Sequence, residues 1–222
     1  MDARIVRATS TVEHATDDHQ PMAWRGTRDG VPFTADWVQA LALEGRCFVC
    51  GIGTLSDGEA LPNAAITTKL PSLWVRIPKG ITGFPIYAAM QLEAAGDLVE
   101  VLLATTQNDI GNGTSSAADY GPINLRTDAI IDSKAICRQE ATVDTIAETN
   151  ILPLKRMYHD DVAVITTGDS LFEWSLLWSP SPVFPVLVGP ATFVLYVGAD
   201  GTNAPTVTAQ MIWAEVPSNS IT

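Results

Sequence analysis

Between Leu171 and Trp178 the chain reads Leu-Phe-Glu-Trp-Ser-Leu-Leu-Trp. Phe172, Trp174, Leu176 and Trp178 recur at every second residue, so an extended strand turns all four to one face, with Glu173 and Ser175 opposite. Such an aromatic face has to lie on something large and apolar: a second sheet, a neighbouring subunit or a ligand. The flanking Leu171 and Leu177 make the segment apolar on its other face too, which favours a buried strand over an exposed sugar-stacking platform.

The same period of two runs through most of the chain. It predicts strands at 46–54, 63–68, 72–77, 84–94, 97–106, 123–131, 135–144, 162–167, 171–178, 183–188, 191–198 and 206–216, punctuated by turns such as Pro78-Lys79-Gly80 and Ala95-Gly96-Asp97. Two pairs read as hairpins, 84–93 with 98–105 and 192–197 with 206–216. In the second pair Phe193, Leu195 and Val197 share one face, and Val207, Ala209, Met211 and Trp213 share one face of the partner. The run Val99-Glu100-Val101-Leu102-Leu103 is apolar on both faces, as in a central strand covered on both sides or a strand in a subunit contact. Around 34–45 a short helix capped by Thr34 or Asp36 and ended by Gly45 is favoured, with a pair of strands joined by Glu44-Gly45 as the other reading. The longest irregular stretches are 107–122 and 145–161, and loops of that length commonly form functional surfaces or contacts with neighbours.

Hydrophobic residues make up 46% of the 222, spread without a polar linker, which suits one large β-sandwich or barrel over 33–222. Residues 1–32 are polar and aperiodic and read as an extended, partly disordered arm. The formal charge is -12, a surface that repels phosphate backbones and anionic lipids. The arm sets Arg4, Arg7, Arg25 and Arg28 against Asp2, Glu13, Asp17, Asp18 and Asp29, so direct nucleic-acid binding by it is not expected. No run approaches the length of a membrane span, and the N-terminus lacks the apolar core of a signal peptide.

Chemistry-bearing motifs are sparse. Cys47-Phe48-Val49-Cys50 has the CxxC shape, but no second pair follows, and residues three apart on a strand point to opposite faces. Cys47, Cys50 and Cys137 therefore read as buried structural thiols. His14, Asp17, Asp18 and His19 form one polar cluster, and His159, Asp160 and Asp161 another. The second is a weak candidate for an ion at a subunit contact, and a solvated loop accounts for both. There is no GxSxG, HExxH, GxGxxG or P-loop motif, so neither an enzyme nor a cofactor is expected.

Three segments give the chain a family resemblance: Leu73–Ile86, a strand, a Pro-Lys-Gly turn and a second strand; Asn108–Thr114, a long polar loop after a strand; and the C-terminal hairpin ending Gln210-Met211-Ile212-Trp213-Ala214-Glu215-Val216. Over about 45–216 the texture resembles a viral single jelly-roll coat protein. The resemblance implies an all-β, two-sheet antiparallel sandwich of eight strands that tiles a shell through its edges and loops and needs no active site. It implies a virion subunit, made in the cytoplasm, whose partners are copies of itself and other virion proteins. The arm departs from the Lys/Arg-rich pattern and would clamp a neighbouring subunit or leave the genome to another component. Trp24 and Arg25 in the arm, with Trp174 and Trp178, are the candidate contact residues. The competing expectation is a phage fibre or decoration protein, or a carbohydrate-binding sandwich that uses tryptophans as its platform. A hydrolase on a β-sandwich comes third.

Overall fold

In the computed structural model the described residues are 5–7, 24–26, 37–54, 56–62, 64–94, 98–110, 114–128, 131–142, 148–159, 170–176, 185–200 and 204–220. In chain order the elements are β1 (Ile5–Arg7), β2 (Trp24–Gly26), α1 (Trp37–Leu43), β3 (Cys47–Ile52), β4 (Glu59–Ala60), β5 (Leu73–Ile77), β6 (Ile81–Ala94), β7 (Leu98–Thr106), β8 (Thr114–Ala117), β9 (Tyr120–Asn124), β10 (Ile136–Thr142), β11 (Ile151–His159), β12 (Ser170–Ser175), β13 (Leu187–Val188), β14 (Ala191–Asp200) and β15 (Thr206–Pro217). Two units divide the chain, Met1–Ala40 and Leu41–Thr222. In the first, β1 and β2 pair in parallel; the rest of the arm expected over 1–32 lies outside the described residues.

The second unit holds two antiparallel sheets. Sheet 1 runs β12-β6-β15-β3-β9, with β13 beside β6 and β4 beside β15. Sheet 2 runs β11-β7-β14-β5-β10-β8. Their facing sides form the core, and its members follow the period of two. Phe48, Cys50 and Ile52 come from β3, Met90 and Leu92 from β6, and Val207, Ala209, Met211 and Trp213 from β15. Sheet 2 answers with Leu73, Val75 and Ile77 from β5, Val99, Val101 and Leu103 from β7, and Phe193, Leu195 and Val197 from β14. Full burial of each large aliphatic or aromatic group here contributes about 1.5–3 kcal/mol. The all-β two-sheet sandwich expected from the alternation is thus present.

A second, smaller core covers the outer face of sheet 2. Trp74, Val194, Tyr196 and Ala104 are buried there with Ile110, and Ile66 and Ile151 pack against them. It explains why β7 is apolar on both faces: Val101 and Leu103 enter the main core while Leu102 and Ala104 enter this one.

Several expectations are corrected. The strand expected at 63–68 is instead a turn-rich cover over sheet 2: Ala199 N donates to Ala64 O, Leu70 N to Thr67 O, and Ile66 packs into the outer core. The strand expected at 123–131 ends at Asn124, whose side-chain amide donates to Gly45 O and Ile131 O while its Oδ1 accepts from Arg126 N, closing a turn. The stretch expected to be irregular at 145–161 carries β11, an edge strand whose register shifts at Pro153, the place where a sheet tolerates proline. Likewise β8 and the start of β9 occupy part of the expected loop 107–122. Neither expected hairpin pairs: β6 lies in sheet 1 and β7 in sheet 2, and β14 and β15 are divided in the same way. The helix alternative at 34–45 is realised as α1. The strand expected at 162–167 lies outside the described residues.

Candidate assembly surface

The registers define the two ends of the sandwich. Cys47 of β3 faces Ala214 of β15, and Pro217 of β15 faces Ile81 of β6. Thr82 faces Val188 of β13, Ile77 faces Ala191, and Thr192 faces Thr106, which faces Ile151. These residues share one end, together with the turn Pro78-Lys79-Gly80, where Ile81 N donates to Pro78 O and Gly80 adopts φ 87°. The left-handed conformation at Gly80 suits glycine and is why the Pro-Lys-Gly signal turned the chain here. The other end holds β4, the end of β6 and the start of β7.

A buried carboxylate and a half-buried amide fasten the first end. Glu215 is 6% exposed, and its Oε1 accepts from Ser133 Oγ at 2.5 Å, Trp213 Nε1 at 2.8 Å and Ala135 N at 3.2 Å. Its Oε2 accepts from Lys134 N at 2.8 Å. One carboxylate thereby ties the last strand to the segment entering β10. Asn124 gathers Gly45 and Ile131, and Arg126 Nη1 donates to Leu43 O at 2.9 Å.

Exposed apolar side chains concentrate at this same end. Of the ten large ones among the described residues, Leu43, Ile123, Leu125, Ile131, Ile136, Leu152, Val186 and Val188 lie there. Leu43, Ile123, Leu125 and Ile131 surround Asn124, and Ile123 and Leu152 are 52% and 55% exposed. A cleft of about 500 Å³ opens between Thr105–Asn108, Thr149–Leu152 and Pro185–Leu187. Its lining side chains are uncharged, threonines and amides together with aliphatic groups such as Leu152, Pro185 and Val186. Sheet 1 carries a shallower polar groove of about 290 Å³ between Gln91, Thr208, Gln210 and Tyr120.

The residues singled out from sequence are scattered. Phe172 is fully buried, and Trp174 is half-buried with its ring 6.3 Å from that of Phe193. Both therefore face the core, while Glu173 on the opposite face accepts from Tyr87 Oη. Trp178 lies outside the described residues, as do Asp160 and Asp161. His159 ends β11, and Trp24 and Arg25 lie in β2, in the separate N-terminal unit. Cys50 and Cys137 meet by a hydrogen bond between the two sheets, and burial raises the Cys50 thiol. Burial pushes the Cys47 thiol up to about 12, so at neutral pH it is protonated and a poor ligand or nucleophile. Among the described residues no group of three or more His, Cys, Asp or Glu is placed to hold a metal, and no helix is long and apolar enough to cross a membrane. The exposed apolar end escaped the sequence reading because Ile123, Leu125 and Ile131 were absorbed into an expected strand and Leu152 into an expected loop.

No protein-family model matches the chain, and no curated protein matches it.

Proposed function

We propose that the chain is a structural subunit that assembles with copies of itself, and that its sandwich is a jelly roll of the viral coat-protein type. The strand order carries the reading. Counting β3, β5, β6, β7, β11, β12, β14 and β15 in sequence, sheet 1 contains the series 6-3-8-1 and sheet 2 the series 5-4-7-2. Each successive pair except β7–β11 crosses from one sheet to the other, the winding expected when a long antiparallel hairpin rolls up on itself. β8–β10 insert between β7 and β11 and extend both sheets on one side. The apolar end supports the assembly part, since side chains of this kind gathered in one region mark contact surfaces.

The sugar-platform reading draws little from the tryptophans. Trp74 and Trp213 are buried and Trp174 packs on Phe193, so these three form no exposed row.

Negative-stain micrographs of the purified full chain test the proposal. Regular closed particles or rings are the expected result; a dispersed monomer that binds glycans would overturn it.

A further inference from the structure

We infer that the apolar end is the contact between copies, made head to tail: the cluster around Asn124 in one copy seats in the neutral cleft of the next. The inference rests on the self-assembly reading and adds where and how the copies meet. Three observations carry it. First, the cluster and the cleft are separate surfaces at opposite edges of the two sheets. Leu43, Ile123, Leu125 and Ile131 are exposed about the Asn124 turn, on the β9 side, whereas Leu152 and Val186 line a recess of about 500 Å³ on the β11 side. Two different surfaces that pair between copies do so heterologously, and such contacts close into rings or shells when the rotation allows.

Second, the charges permit a second copy here. The chain as a whole is at -12, so two copies repel across most of their surfaces. At the apolar end the charges of the described residues come close to balance. Arg46 pairs with Glu44, Arg76 with Asp109 at 2.9 Å and Arg126 with Asp128 at 2.6 Å. Lys79 and Lys134 stand against Asp132, Glu148 and the internally satisfied Glu215. At the other end Gly58 N donates to Glu93 and Gly53 N to Asp119, and Asp57 and Glu59 lie beside them. A second acidic copy meets less repulsion at this nearly balanced end. Third, the cleft is lined by uncharged side chains, so no charge in it opposes an acidic copy, and its aliphatic members, Leu152, Pro185 and Val186 among them, offer apolar contact to Ile123 and Leu125.

The test uses two double variants of the full chain, each changing exposed residues: Ile123→Glu with Leu125→Glu in the cluster, and Leu152→Glu with Val186→Glu in the recess. Thermal melts by circular dichroism establish that each variant keeps its fold. Sedimentation velocity then follows wild type, each variant alone and an equimolar mixture. Head-to-tail contact predicts that wild type assembles, that each variant alone is monomeric, and that the mixture forms a species of twice the monomer mass and nothing larger, because it contains one intact cluster and one intact recess. Variants that assemble like wild type would overturn the inference and leave self-assembly standing. A mixture that stays monomeric would overturn the head-to-tail pairing. A wild-type chain that is monomeric at every concentration would overturn the assembly reading itself.

Discussion

Gly51 and Glu215 show how little freedom single positions have in this sandwich. A Cβ on Gly51 would sit 2.3 Å from the backbone oxygen of Ala209 and 2.2 Å from Tyr120 Oη. The tyrosine can swing away, but the paired strand cannot. Gly51→Ala is therefore expected to destabilise by about 1–3 kcal/mol in a urea titration, the usual cost of overpacking. Glu215→Ala removes the acceptor of four donors and leaves Trp213 Nε1 and the backbone N–H of Ala135 without it. Its expected cost is about 3 kcal/mol, and Glu215→Gln, which keeps one acceptor oxygen, should cost less. The thiols supply a pH dependence with a definite sign. The Cys47 thiol is raised from 9.0 to about 12 by burial, so the folded chain holds this proton more tightly than the unfolded one. Its stabilising effect is complete below pH 9 and is lost as pH climbs toward 12, at up to about 1.4 kcal/mol per pH unit. The urea midpoint should therefore be flat from neutral pH to about 8 and fall above it, and Cys47→Ala should flatten that fall.

At the scale of elements, the period of two was sufficient to locate most strands and to say which side chains face inward. Val207, Ala209, Met211 and Trp213 enter the core as one set, as do Phe193, Leu195 and Val197. What alternation cannot tell is whether two neighbouring strands pair or stack. β6 and β7 follow each other closely, and each offers one inward apolar row, Ala88-Met90-Leu92 and Val99-Val101-Leu103. Those rows satisfy a hairpin within one sheet and two strands facing across the core equally well. The choice is made by distant partners: β15 flanks β6 and β14 flanks β7. β11 was hidden by Pro153 and by Lys155 and Arg156, residues that read as a loop yet suit an edge strand. There Lys155 Nζ reaches over the Phe172 ring at 5.1 Å and donates to Glu173 O, linking the edge strands of the two sheets, while Arg156 pairs with Glu100. The candidate surface was less legible still, because it is assembled from a helix end, a strand end and two connections that meet only in space.

For the whole molecule, an acidic chain with one nearly charge-balanced apolar end sets two forces against each other. If copies meet through Ile123, Leu125, Leu152 and Val186, burial of apolar surface drives the contact and net charge resists it. Salt then screens the repulsion while leaving the apolar attraction in place. Assembly held by ion pairs between copies would respond in the opposite direction. Light scattering of the unmodified full chain, at fixed concentration and neutral pH across about 0.05–0.5 M sodium chloride, separates the two. Scattering mass that rises with salt is the predicted result; mass that falls with salt, or stays at that of a single chain throughout, would contradict it.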